Sequence, residues 1–278
     1  MEILFATDGR SPALAAGDLL RRLVDPSHVE IAVLSAHDPS TETTEGYFDT
    51  LLEEAERAMS EAGLTSRSVW REGDPAVCIE KELAGDGYGL VIVGAGNHSW
   101  LGHIAFGSVA TCVLHRAPVP VVVVHRGPSH AHDRLKVLVG ADGSPAATHA
   151  IDTLASLTEP DRVDLRVRTV IRTHDIVLSH SGTYVPTPYT QKGLEEEEAI
   201  ASRHLEGALD RLRIAGFSAR GSIGSGWPAN DLLDQAERGE ANLVVLGARG
   251  AGTLERMTMG SVSAHVARYA PATLVAQP

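Results

Sequence analysis

A glycine-rich segment of the chain has the residue types and spacing needed to bind a phosphate group. The segment "GARGAGTLERMTMGSV" runs from Gly247 to Val262 and contains Gly250 and, after nine intervening residues, the pair Gly260-Ser261. Glycine lets a backbone approach a ligand closely. The first N–H groups of a helix lack helical partners and carry partial positive charge. Because a helical pattern follows Gly260, the segment predicts an anion site at a helix N-terminus, with the Ser261 hydroxyl as a further donor.

A near copy of this segment lies in the first half of the chain. The copy, "GAGNHSWLGHIAFGSV", begins at Gly94 and ends on Gly107, Ser108 and Val109. Asn97 stands where the later segment has its second glycine. Asparagine tolerates the left-handed backbone conformation better than most residues do, so the turn can survive. The sequence therefore predicts a strong second site and a weaker first one.

An aspartate follows the first apolar run of each half. Asp8 and Asp142 each precede a glycine, at the end of "EILFAT" and of "KVLVGA". A carboxylate there can accept a hydrogen bond from an adenine amino group or a ribose hydroxyl, or help to hold Mg²⁺. The alternative is a turn-forming Asp-Gly pair. Recurrence of the aspartate beside the same architecture favours the binding hypothesis.

Other motifs with chemistry are absent from the sequence. The chain lacks the Walker A pattern, and the dinucleotide G-x-G-x-x-G spacing fails in both halves. It also lacks the G-x-S-x-G elbow of the α/β-hydrolases. His98 and His103 lie in the first glycine-rich segment, where phosphate contact is the alternative to a solvated loop. We therefore predict no catalytic residue and leave slow ATP hydrolysis open.

Composition restricts the class of protein. The chain has 278 residues, a formal net charge of -12 and two cysteines. An acidic surface repels the nucleic-acid backbone, so we expect no nucleic-acid partner. Two cysteines form no disulfide framework, which favours the cytoplasm. We find no signal peptide and no apolar run of membrane-spanning length, so we expect no membrane partner.

The chain aligns with itself. An offset of 153 superimposes Pro75 on Pro228 and the two glycine-rich segments, whereas an offset of 134 superimposes Asp8 on Asp142. The second half therefore carries an insertion, which we place between residues 172 and 198. Duplication predicts two domains, at 1–127 and 135–278, with a linker at 128–134. Histidines near the linker, among them His125, allow a metal site as the less favoured alternative to a solvated linker.

Strand and helix patterns alternate in each half. Such alternation predicts an α/β fold with two tandem, doubly wound parallel sheets flanked by helices. Ser144-Pro145 and Ser11-Pro12 are the expected starts of the first helix in each half. Glu195 to Glu198 is expected to form the first turn of a helix, where acidic side chains suit the helix dipole.

These residues resemble the universal stress protein family, in a tandem arrangement that covers nearly the whole chain. The family's ATP-binding pattern, G-x2-G-x9-G-[ST], is matched completely in the second half, and "GADGSP" also resembles the family. The resemblance implies five-stranded sheets of order 3-2-1-4-5. It also implies that the last strands, "VVVV" and "TLVA", pair within the chain to make a pseudo-dimer, which can dimerise further.

The resemblance also implies which residues bind the nucleotide. Asp142 would contact adenosine, Val170 would present its backbone to adenine, and the glycine-rich loop would hold ribose and phosphates. In the second half the implied binding residues are Asp142, Val170, Gly247, Gly250, Gly260, Ser261 and Val262. In the first half they are Asp8, Ala36, Gly94, Asn97, Gly107, Ser108 and Val109.

Four functions remain open from the sequence. The favoured one is a regulatory sensor that binds ATP with Mg²⁺ in the stress response and acts on unidentified protein partners. The second is an interaction scaffold that keeps the fold without binding nucleotide, and a slow ATPase is the third. An adenylate-transferring enzyme ranks last, because its signature motifs are missing.

Overall fold

The structure is a computed structural model. It describes residues 1–8, 13–37, 47–85, 87–95, 106–127, 134–172, 191–250 and 259–277. Asn97 and the loop histidines, Ser11-Pro12, most of the linker and most of the predicted insertion lie outside these residues.

Strands and helices alternate through both halves, as the sequence predicts. The first half consists of β1 (Glu2–Ala6), α1 (Ala13–Leu23), β2 (Glu30–His37), α2 (Tyr47–Glu61), β3 (Thr65–Glu72), α3 (Pro75–Leu83), β4 (Tyr88–Gly94), α4 (Ser108–Arg116) and β5 (Val121–Val124). The second half consists of β6 (Leu135–Gly140), α5 (Pro145–Leu157), β7 (Val163–Arg172), α6 (Gln191–Ile214), β8 (Ala219–Gly226), α7 (Pro228–Arg238), β9 (Leu243–Gly247), α8 (Ser261–Tyr269) and β10 (Ala272–Ala276).

All described strands form one sheet, in the order β3-β2-β1-β4-β5-β10-β9-β6-β7-β8. Within each half the pairing is parallel and the order is 3-2-1-4-5, which confirms the prediction. The two halves meet where β5 and β10 pair in antiparallel register, with Val122 opposite Leu274. The predicted pseudo-dimer is therefore a continuous sheet, and pairing of these two strands removes an exposed edge from each half.

Apolar side chains cover both faces of the sheet. The central strands are buried along their length, for example β5 and β10, because helices lie on both sides. The junction also has matched polar contacts. His125 Nε2 lies 2.8 Å from the carbonyl of Ala267 in α8, and Gln277 Nε2 donates to the carbonyl of Leu114 in α4 at 2.8 Å. Each half thus satisfies a helical carbonyl of the other.

Helix α6 is longer than its counterpart α2, with 24 residues against 15. The prediction that Glu195 to Glu198 forms its first turn is wrong, because the helix begins at Gln191. These glutamates lie one turn inside the helix. A long solvated helix tolerates them there because the macrodipole effect is confined to the terminal turn.

Candidate nucleotide site

A cavity of about 340 Å³ opens at the carboxyl edge of the second half of the sheet. Small-molecule sites have volumes of roughly 300–1,000 Å³, so this cavity is large enough to be one. It lies where the ends of β6, β7 and β9 meet α8, which is the position expected for a ligand in an open α/β sheet. All seven residues predicted for the second site line it: Asp142, Val170, Gly247, Gly250, Gly260, Ser261 and Val262.

Helix α8 presents its N-terminus to this cavity. Gly260 is the N-cap residue, with φ −79° and ψ 151°, and no side chain of the described residues caps the helix. The first N–H groups of α8 are therefore available to an anion. Two bonds fix the helix start to the sheet: Gly260 N donates to the carbonyl of Ala248 at 2.7 Å, and the buried Ser263 hydroxyl donates to the carbonyl of Gly247 at 2.7 Å.

Gly247 has a packing role that the sequence did not reveal. A Cβ at this position would lie 2.6 Å from the carbonyl oxygen of Ala146 and 2.7 Å from the nitrogen of Ala147, both at the start of α5. Backbone atoms cannot move away as a flexible side chain can. Glycine is therefore required here for β9 to pack against α5, in addition to any approach of a ligand.

Asp142 forms the turn between β6 and α5. Its Oδ1 accepts a hydrogen bond from the Ser144 backbone nitrogen at 3.0 Å, and Ser144 caps α5 by accepting from Ala147 N at 3.1 Å. A Cβ on Gly250 would lie 2.7 Å from Asp142 Oδ2. The missing side chain of Gly250 therefore leaves room for this carboxylate beside the cavity.

Val170 presents backbone groups to the cavity. In a parallel ladder, every second residue directs its N–H and C=O toward the same neighbouring strand. Ala141 N donates to the carbonyl of Arg168 at 3.0 Å, so Val170, two residues further, faces the same side. Strand β6 ends at Gly140, before it reaches Val170. The N–H and C=O of Val170 therefore border the open edge, where a planar base can meet them.

Arg168 lines one wall of the cavity and is held by an ion pair with Asp231, which is outside the lining. Arg168 on β7 contacts Asp231 on α7 through two bonds of 2.7 Å, and their side chains are 12% and 15% exposed. Arg168 also donates to Ser222 Oγ at 3.2 Å and to the carbonyl of Ile223 at 3.0 Å. The hydrogen bonds to Asp231 raise the pKa of Arg168 above its ordinary value, against the opposing effect of burial. This wall is therefore permanently charged and held in place.

Helix α6 forms the opposite wall with Glu197, Ile200, Ala201 and His204. The His204 ring packs over the turn that follows Asp142, where a Cβ on Gly143 would clash with the ring. No motif predicts this contact, because residues 173–190 interrupt the alignment between β7 and α6.

The first half has a smaller cavity, of about 220 Å³, at the equivalent edge. The described residues predicted for the first site all line it: Asp8, Ala36, Gly94, Gly107, Ser108 and Val109. Gly107 is the N-cap of α4, without a side-chain cap among the described residues. Thr7 N donates to the carbonyl of Leu34 at 3.0 Å, so Ala36 faces the open edge as Val170 does. The prediction for Asn97 lies outside the described residues.

Two uncharged residues replace the ion pair in the first half, and one of them, Leu34, lines the first cavity. By the register of β1 with β2 and of β6 with β7, Leu34 stands where Arg168 stands in the second half. The offset of 153 places Cys78 at the position of Asp231. Both Leu34 and Cys78 are buried. The first wall is therefore uncharged.

The charged residues that line the two cavities also differ. The described lining of the second cavity includes three arginines and a histidine with two carboxylates: Arg168, Arg172, Arg249, His204, Asp142 and Glu197. In the described lining of the first cavity, Asp8 is the sole charged residue. The second cavity is better suited to a polyphosphate for this reason.

The motifs did not reveal the wall residues Arg168 and Glu197, the ion-pair partner Asp231 or the anchor Ser263. A signal for the ion pair was present, since alignment of the halves sets Arg168 against Leu34 and Asp231 against Cys78. Only comparison of the differing positions, rather than the matching ones, would have found it.

No cluster of three or more potential metal ligands occurs among the described residues. His125, considered above as a metal ligand, contacts the carbonyl of Ala267, and its predicted partners in the linker lie outside the described residues. Among the helices of the described part of the chain, none is both long and apolar enough to span a bilayer.

Comparison with known proteins identifies relatives of the whole chain. The model of the universal stress protein family matches residues 1–125 and 134–276. A universal stress protein of Mycolicibacterium smegmatis is 37% identical over 187 residues, or 65% of this chain and 58% of that protein, so less than two thirds of that relative is covered. A universal stress protein of Mycobacterium tuberculosis is 29% identical over 227 residues, or 79% of this chain and 72% of that protein.

The fold also matches a solved structure. A universal stress protein from Archaeoglobus fulgidus aligns over 99% of this chain and 98% of that one, with a TM-score of 0.66 and 24% identity. That similarity concerns the fold, and the two tandem halves correspond along their full length.

Proposed function

The chain belongs to the universal stress protein family, as its motifs indicated, and on that premise we propose that it is a regulatory sensor that binds ATP mainly in its second half. One observation carries the proposal. The four fixed residues of the motif, Gly247, Gly250, Gly260 and Ser261, line a cavity of about 340 Å³, and the N-terminus of α8, which no described side chain caps, faces it. Phosphates would accept from the α8 N–H groups and Ser261, and the base would meet Val170.

Charge supports a polyphosphate ligand in this cavity. Arg249 and Arg172 line it together with the α8 N-terminus, and the lining carboxylates belong to the β6 turn and to α6. Mg²⁺ would enter with the phosphates and neutralise part of their charge. We assign no resident metal ligand, because Asp142 already accepts from Ser144 and no acidic cluster occurs in the described residues.

Binding rather than catalysis is the function that these residues support. Rapid hydrolysis needs a group that positions the attacking water or accepts its proton. The structure assigns none of the charged side chains that line the second cavity as a base for the attacking water. ATP would act by favouring one conformation or assembly, in the manner of an allosteric effector.

The scaffold alternative applies to the first half. Its cavity of about 220 Å³ falls below the usual range for small-molecule sites, and Leu34 replaces the charged wall residue. A first half that has lost nucleotide binding would still supply β5 to the continuous sheet.

Titration calorimetry with Mg-ATP tests the proposal, after nucleotide is stripped from the protein and its removal is checked by mass spectrometry. We expect one strong site. Gly260→Val would remove it, because the Cβ would lie 3.3 Å from the carbonyl of Ala248 and the larger side chain would cover the α8 N-terminus. The loss of one or more charge-assisted bonds corresponds to about 100-fold weaker binding.

Gly107→Val, at the matched position in the first half, is the control. It should leave the strong site unchanged. Equal losses from both variants would assign binding to both halves. Failure of the stripped wild-type protein to bind ATP, ADP or AMP would reject the sensor and favour the scaffold.

A further inference from the structure

One side chain on the α6 wall is in an environment that its chemistry does not favour. Glu197 is the one partly buried member of the run Glu195 to Glu198, whose other members are exposed. It lies on the same helical stripe as the buried residues Ala201, Ala208 and Leu212, at spacings of four and seven. A carboxylate therefore occupies a position where the pattern of α6 would place an apolar residue.

One oxygen of the Glu197 carboxylate is not satisfied within the described protein. Its Oε2 is buried and has no hydrogen-bond partner among the described residues. Glu197 also lines the second cavity. Burying an unpaired carboxylate is costly, and such groups usually have a partner. The missing partner can come from a ligand in the cavity.

A second unsatisfied group lies on the same side of β7. Thr169 is 3% exposed, its Oγ1 has no hydrogen-bond partner among the described residues, and it lines the same cavity. Its side chain points to the α6 face, because it alternates with Arg168 and Val170, and it adjoins the Val170 backbone. Two independent polar groups are therefore unpaired at one end of the cavity.

The chemistry of the two groups defines what they would bind. An ionised carboxylate only accepts hydrogen bonds, so the partner of Glu197 must be a donor. A phosphate is excluded because it would repel the carboxylate. The resemblance assigns ribose to the glycine-rich loop and adenine to the Val170 backbone, and Glu197 and Thr169 lie beside Val170, on the α6 side of the end of β7. The ligand group that remains is a base amino group.

We propose that Glu197 is a specificity-determining residue of the second site, which accepts a hydrogen bond from the exocyclic amino group of a bound purine, with Thr169 beside it. This proposal rests on the proposed function, since it needs the base to lie against Val170. Helix α6 begins nine residues earlier, relative to the repeat, than α2, and Glu197 belongs to that extension.

The test compares ATP with purine riboside 5′-triphosphate, which lacks the 6-amino group, on the stripped full chain. Wild-type protein should bind ATP about tenfold or more tightly than the analogue, the value of one hydrogen bond to a charged group. Glu197→Ala should bind both ligands equally. Glu198→Ala, which changes an exposed neighbour, should keep the wild-type preference.

Thermal unfolding of the ligand-free variants separates binding from a structural role. If Glu197 serves recognition, Glu197→Ala should be at least as stable as the wild type, because an unpaired carboxylate is removed. A clear fall in Tm would assign Glu197 to structure and overturn the proposal. So would equal wild-type affinity for ATP and the analogue, with the sensor function itself intact. Absence of any nucleotide binding would instead reject the function on which the proposal rests.

Discussion

The two cavities occupy equivalent edges of one duplicated fold and differ mainly in their walls. In the second, Arg168 and Asp231 form a charged pair across β7 and α7. In the first, Leu34 and Cys78 hold the same two positions and are buried. The helix N-termini are similar, since α8 and α4 both begin after a glycine N-cap. The glycine and serine at the helix start are thus the same in both halves, whereas the wall beside them differs.

This difference shows why a shared motif is insufficient to assign a shared ligand. The Gly-Ser pair fixes where a phosphate could lie, but the walls set the room and charge available to the rest of a ligand. Position 263 is a further example. Ser263 bonds the carbonyl of Gly247, whereas the offset of 153 places Ala110 there in the first half. Helix α8 is consequently tied to β9 by a side-chain hydrogen bond that alanine cannot make in α4.

The largest expected effect comes from the close approach of β9 and α5. Gly247→Ala would place a Cβ 2.6 Å from the Ala146 carbonyl, and the backbone of α5 would have to move. We expect a loss of about 3 kcal/mol in the free energy of unfolding, at the upper end for overpacking. Urea unfolding measures this loss. Gly207→Ala is the control, because its Cβ meets nothing within 4 Å in α6 and should stabilise the protein. Unchanged stability of Gly247→Ala would show that packing does not require this glycine.

The next largest effect on stability is expected when the ion pair of the second half is replaced by the uncharged residues of the first. Asp231→Cys alone would leave Arg168 without its carboxylate and should cost about 2 kcal/mol, less than a fully buried pair because Ser222 and Ile223 still accept from it. Adding Arg168→Leu recreates the pair Leu34 and Cys78.

The double variant should recover most of that loss, since apolar replacement of a buried ion pair is often neutral. Urea unfolding of both variants gives the comparison. A double variant no more stable than Asp231→Cys would mean that the two walls are not interchangeable and that the surrounding packing has diverged as well.

A smaller effect separates the two serines of the α8 start. Ser263→Ala gives the second half the residue of the first and should cost about 1 kcal/mol of stability, the value of one hydrogen bond. Ser261 is exposed, so Ser261→Ala should leave stability unchanged and weaken Mg-ATP binding. Thermal unfolding and calorimetry on both variants measure the two effects. If Ser261→Ala lowered stability and Ser263→Ala weakened only Mg-ATP binding, the structural role would belong to Ser261 and the binding role to Ser263.

The duplicated fold followed from the sequence because its determinants are local. Alternating apolar strands and helices, the Ser144 cap and the glycine-rich junctions each reflect short-range chemistry. The glycines and aspartates predicted to line each cavity were found in the same way, because strand ends of a parallel sheet meet at one edge. Val170 and Ala36 came from the family resemblance. Pairing of β5 with β10 came from the family resemblance rather than from the residues, since nothing local specifies which edges join.

Other features were beyond the sequence because they depend on distant elements. The start of α6 lay within the part of the second half that has no counterpart in the first, so the position of Glu197 over the cavity could not be inferred. The pairing of Arg168 with Asp231 joins residues 63 positions apart through packing of α7 on β7. The packing requirement for Gly247 depends on the position of α5. A glycine in a turn and a glycine at a close backbone approach cannot be told apart in sequence.

The smallest effect concerns the junction, where the two halves use different side chains for matched carbonyls. Burial lowers the pKa of His125, and Arg126 lowers it further against the bond to Ala267. Between the lowered value and the ordinary 6.5, the unfolded chain binds more protons than the folded chain, so stability rises with pH. The free energy of unfolding therefore has its full value above pH 6.5, where His125 is neutral in both states, and it falls as the pH drops below 6.5. His125→Gln gives the first half the side chain that Gln277 supplies in the second. In this variant the urea midpoint of unfolding should depend less on pH between about pH 5 and 7. An unchanged slope, with the wild type as reference, would show that the pH dependence arises elsewhere than at this junction.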